Sequence, residues 1–111
     1  MPPLAPIDIA RLEDHRQARA VAEIALESEP LMGGWICRSE PGAWTNQAIA
    51  IGLDAPVPPA EVDRLIEYHA SAAIEPRVEL SPFAHESLLT ELATRGFTLR
   101  QFENVLYLPL Q

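Results

Sequence analysis

Lysine is missing from this chain: its eight basic residues are all arginines, set against sixteen aspartates and glutamates, for a net charge of −8 over 111 residues. A protein that grips phosphates needs a clustered positive face, so this balance argues against DNA or RNA as a partner and tolerates a cationic amine as ligand. Cysteine is nearly missing too. Cys37 stands alone, which excludes an intrachain disulfide and fits a reducing compartment. Long hydrophobic runs are absent, none approaching the roughly 18 residues of a membrane span. The opening Met1-Pro2-Pro3-Leu4-Ala5-Pro6 has no basic stretch and no long apolar core, so a cytoplasmic location is the default expectation. Phosphate loops are lacking as well: Gly33-Gly34 is followed by neither a Lys-Ser/Thr pair nor a third glycine. No metal site is expected, because His15 has no partners at ligand spacing.

What the chain does contain is one domain's worth of globular sequence, 48% hydrophobic with a mean hydropathy near zero. Residues 1–6 are expected to form a flexible, proline-rich lead-in. Residues 8–28 carry Ile9, Leu12, Val21, Ile24 and Leu26 at helical spacing, with Arg11, Glu13, Asp14 and Arg16 turned outward and Asp8 as N-cap. Trp35-Ile36-Cys37 can form a short strand, with Cys37 a small buried hydrophobe, and Pro41-Gly42 a turn. The apolar run 48–54 suits a central strand buried on both faces. A helix over 59–73 follows, with Val62, Leu65, Ile66 and His69 on its core side, and then an alternating strand at 77–80. Strand, helix, strand in this spacing is a crossover unit, so the two strands should be parallel.

The last third, Arg77 to Gln111, has the clearest grammar. Ser81-Pro82 stops the strand, Leu88, Leu89 and Leu92 form the apolar face of a helix over 84–95, and Gly96 stands where a left-handed residue closes it. Phe97 to Leu108 then reads as one long or bent strand. Strand, Ser-Pro stop, amphipathic helix, Arg-Gly-Phe and strand, from about Trp44 to Leu110, resemble the GNAT superfamily of N-acetyltransferases, in particular the degenerate N-terminal half of its two-domain members.

The resemblance implies an α/β fold in three layers, with a mixed, largely parallel sheet and helices on both faces, residues 1–111 forming a single pseudo-acetyltransferase domain. Acetyl-CoA is the cofactor it implies for the family, held by a glycine-rich loop before a helix. In this chain the corresponding stretch is Ala55-Pro56-Val57-Pro58-Pro59-Ala60-Glu61, without glycine, and the family's general-acid tyrosine falls on Leu92. The expectation is therefore a half that has no catalytic residues and binds no cofactor. Its partner would be a catalytic GNAT half whose acceptor pocket it helps to shape, Trp35, Trp44 and Asn46 being the candidate lining. The alternative is a free-standing module of the same fold that dimerises through its C-terminal strand, with Leu106, Tyr107, Leu108 and Leu110 as the candidate interface in either case. That stretch carries few charges, and an uncharged open edge templates pairing with another chain.

Overall fold

The computed structural model describes residues 5–53, 55–100 and 105–109. Helix α1 (Pro6–Ile24) leads into a hairpin of β1 (Glu27–Leu31) and β2 (Gly34–Arg38), followed by β3 (Gln47–Ile49), α2 (Pro59–Ala70), β4 (Arg77–Glu79), α3 (Glu86–Thr94), β5 (Thr98–Arg100) and β6 (Val105–Tyr107). The strands form one sheet in the order β1-β2-β3-β4-β6-β5. Among the described strands only β3 and β4 run parallel, through Ala48↔Val78 and Ile49↔Glu79, and every other neighbouring pair is antiparallel. The crossover through α2 is thus as expected. The largely parallel sheet is not: the chain reverses through short hairpins on both flanks, and a tight turn can join only antiparallel strands.

Helices cover both faces. Register partners Ile36, Ala48 and Val78 point one way and pack with Val62 and Leu65 of α2 and Leu88 and Leu92 of α3. Cys37 and Ile49, one residue along each strand, point the other way and pack with Ala18 and Val21 of α1. This is the period of two of a strand read out as two half-cores. No described helix is long and apolar enough to cross a membrane.

Four expectations need correction. The N-cap of α1 is Ala5 with Pro6 at its start, so Asp8 lies in the first turn and the lead-in is at most residues 1–4, which lie outside the described residues. The helix stops at Ile24, because Glu27–Leu31 pairs with β2 as an edge strand. Its stripe of large apolar residues faces outward: Ile9, Leu12 and Ile24 are exposed, while Ala18 and Val21 are buried. Small residues let α1 lie close to the sheet, and two of its polar side chains reach inward. Arg11 donates to the Leu53 carbonyl at 3.4 Å, and Asp14 accepts from the Ser81 hydroxyl at 2.7 Å. Leu89 is likewise exposed, leaving Leu88 and Leu92 as the buried pair of α3.

The fourth correction concerns the chain's end. The stretch 97–108 is two strands, β5 and β6, paired antiparallel from Thr98↔Tyr107 to Arg100↔Val105. β6 therefore sits inside the sheet between β4 and β5, and the open edge on which the interface expectation rested is not there. Leu108 is half-buried against the core. The side chains of Leu106 and Tyr107, and all of Leu110, lie outside the described residues. Among the described strands the edges are β1 and β5. β1 carries Glu27, Glu29 and Pro30, the charge-and-proline protection of an edge that must not pair further.

The β1–β2 turn is pressed onto the end of β3. Met32 and Gly33 take φ of 48° and 83°, the two left-handed positions of a tight hairpin turn. At Gly34, a Cβ would collide with the Ile49 carbonyl oxygen and the Ala50 backbone. Backbone cannot swing aside as a side chain can. Gly34→Ala should therefore cost at least about 3 kcal/mol in urea denaturation or prevent folding. Gly42→Ala, where a Cβ meets nothing within 4 Å, should cost about 1 kcal/mol for its left-handed backbone alone.

Candidate functional site

In an open sheet with helices on both faces, ligands settle outside the carboxyl ends of parallel strands. Here those ends are Ile49 and Glu79. Only two residues pair on each strand before the chain leaves β3, turning at Ala50 with φ 57° and Gly52 with φ 69°. The segment that leaves β3 folds over the strand ends. Ile51, Leu53 and Val57 are buried, Ile51 and Val57 in one core with Leu88 and Leu53 in the other with Ala18.

Several polar groups of that segment bond within the chain. The Gly52 N–H donates to the Met32 carbonyl at 3.0 Å, and the His85 N–H donates to the Gly52 carbonyl at 2.7 Å. The Val57 N–H donates to the Ser87 hydroxyl at 2.8 Å. Pro56, Pro58 and Pro59 have no N–H, and the Glu61 N–H bonds back to the Pro58 carbonyl at 3.0 Å. A helix start usually offers several free donors to an anion; the first turn of α2 offers few and adds the Glu61 carboxylate. His85 is the N-cap of α3, its Nδ1 accepting from the Ser87 N–H at 3.1 Å.

The helix α3 closes as its sequence implies. Gly96 is left-handed at φ 88°, and the Phe97 N–H reaches the Leu92 carbonyl at 3.0 Å. Arg95 ties α3 to α2 through Asp63 at 2.7 Å and also pairs with Glu91 at 2.5 Å. Leu92 is fully buried.

The three residues expected to line an acceptor pocket stand in different surroundings among the described residues. Trp35 borders one between α1 and β1 with His15 and Arg19, whereas Asn46 borders another with Ala73 and Ile74. Trp44 stands 58% exposed on the loop between β2 and β3. Asn46 is buried and spends its amide on that loop, accepting from the Ser39 N–H at 2.5 Å and donating to the Glu40 carbonyl at 2.8 Å. Ser39 and Thr45 hydroxyls add a bond at 2.8 Å. Asn46 thus has a structural task that the sequence concealed, since an asparagine next to tryptophan reads equally as a loop staple or a ligand contact.

His69 and Cys37 meet in the core. His69 is fully buried, and its Nε2 lies 3.0 Å from the Cys37 carbonyl oxygen. A carbonyl can only accept, so Nε2 carries the proton, and Nδ1 is a buried acceptor with no partner among the described residues. Burial holds the imidazole's pKa below its usual value, with the nearby Arg38 guanidinium acting the same way against the raising effect of the Cys37 carbonyl bond. Burial also pushes the Cys37 thiol up to about 11, which leaves it protonated and inert. Among the described residues no group of three His, Cys, Asp or Glu side chains gathers as a metal site. Compared with known proteins, the chain matches no family model, no curated protein and no solved structure.

The depressed pKa of His69 gives a signed expectation. The unfolded chain takes up a proton near the ordinary histidine value while the folded chain does not, so stability is full above about pH 6.5 and falls as the solution is acidified below it. The urea midpoint should drop between pH 7.5 and 5.5. His69→Gln keeps an N–H donor for the Cys37 carbonyl but cannot titrate, and should flatten that dependence.

Proposed function

We propose that this chain is the non-catalytic half of a GNAT-type N-acyltransferase, which packs against an acetyl-CoA-binding catalytic half and helps to shape its acceptor pocket. The observation that carries the proposal is the closed carboxyl end of the β3–β4 pair. The carboxyl end of a parallel strand pair is where a cofactor would enter an α/β sheet, and Ile51, Leu53 and Val57, which follow β3, are instead drawn into the two half-cores. The donors that would cradle a pyrophosphate are bonded internally or replaced by prolines. Leu92, at the position of the family's general acid, is buried beneath α3 and carries no proton to give. The GNAT-like arrangement itself is supported by the β3–α2–β4 crossover and by α3 ending in Gly96-Phe97 ahead of β5. In this reading acetyl-CoA belongs to the catalytic half.

A second reading is a self-associating module of the same fold. It is favoured by the outer edge of β5, which ends the sheet among the described strands without the glutamates and proline that protect β1. Pairing there would join two copies edge to edge.

Calorimetric titration of acetyl-CoA into the chain alone tests the leading proposal. No heat of binding is expected, because the loop offers no N–H cradle and the −8 charge opposes a polyanion. A low-micromolar dissociation constant that is lost on substituting residues 55–60 would overturn it.

A further inference from the structure

Beside the closed crevice lies an open one. A cleft of about 520 Å³ separates the β1–β2 turn from the start of α2, within the size range of small-molecule sites. Its walls are mostly apolar. Leu31 and Met32 come from the turn, and Pro30, Pro56 and Pro58 from the chain on either side. The prolines supply carbonyl acceptors and no donors.

Two charged side chains line the cleft, Glu61 and Arg64. Arg64 bonds to Glu29 at 2.5 Å and lies 3.6 Å from Glu61. Glu29 lies outside the lining, but it shares the Arg64 guanidinium with Glu61, so Arg64 does not neutralise Glu61 alone. The positive end of the α2 dipole would favour an anion here, but Glu61 already occupies the first turn and offsets it. The whole chain, at −8, pulls the same way.

We propose that this cleft binds an organic cation, an ammonium group on an apolar or aromatic body. The ammonium sits at Glu61 and the body lies on Leu31, Met32 and Pro56. Nothing in this depends on the acyltransferase reading, since every group involved belongs to this chain.

The test is an NMR titration of the ¹⁵N-labelled full chain with benzylamine, compared with benzyl alcohol and phenylacetate as neutral and anionic probes of the same shape. Benzylamine is expected to shift the amides of Met32, Gly33, Ala55 and Glu61, with the alcohol weaker and phenylacetate silent. Glu61→Gln should weaken benzylamine about two- to fivefold, the effect of one partly exposed ion pair, and leave the alcohol unchanged. Arg64→Gln should tighten benzylamine instead, which keeps the test decisive if the first variant folds poorly. The proposal is overturned if the alcohol or phenylacetate matches benzylamine. Shifts that map to the hollow at Trp35 would overturn it too, as would no shift at about 10 mM, well above a millimolar affinity.

Discussion

Gly52 joins three parts of the chain through two backbone hydrogen bonds, one to the turn of the β1–β2 hairpin and one from the N-cap of α3. Each such bond is worth about 1 kcal/mol net, yet leaving either group buried and unpaired would cost about 1–3 kcal/mol. The residue must be glycine. Its φ is 69°, and a Cβ would stand 3.0 Å from Val57 and 3.3 Å from Leu88. Once Gly52 is fixed, Ile51 and Leu53 turn to opposite half-cores, and each buried aliphatic side chain adds about 1.5–3 kcal/mol. The chain that continues from β3 is thereby anchored in both half-cores.

This anchoring separates the two clefts chemically. At the parallel strand ends Ile51, Leu53 and Val57 are buried and the Gly52 and Val57 N–H groups are bonded within the chain. The hollow one turn away is open and mostly apolar, with Glu61 and Arg64 as its charged side chains. The prolines at 56, 58 and 59 remove donors from the loop, and Pro56 and Pro58 also line the cleft.

The parts of the fold that were legible in the sequence are those where local chemistry and tertiary packing agree. The crossover from β3 through α2 to β4 followed from an apolar run, a proline start and the stripe Val62, Leu65, Ile66 and His69, and Gly96-Phe97 marked the end of α3. Where they disagree, periodicity misled. In α1 Val21 is buried as its spacing suggested, but Ile9, Leu12 and Ile24 of the same stripe are exposed and the smaller Ala18 shares the core face, because close approach to the sheet favours small side chains. Glu27 and Ser28 read as the tail of that helix, and only pairing with β2 makes Glu27–Leu31 a strand. The stretch 97–108 is rich in strand formers throughout, and strand propensity does not say where a strand reverses. The closure of the β3–β4 crevice was half visible: the prolines declared the missing donors, but the two bonds of Gly52 join residues twenty and thirty-three positions away and leave no local trace.

Amide hydrogen exchange at Gly52 and His85 tests the sealed crevice most directly, because each N–H makes one of the two bonds that close it. Both amides should exchange as slowly as those in the middle of β2 and β3, opening only when the domain unfolds as a whole. If both exchange at the rate of the Gly42 amide, on the loop between β2 and β3, the strand ends open freely in solution and the closed-crevice account is wrong.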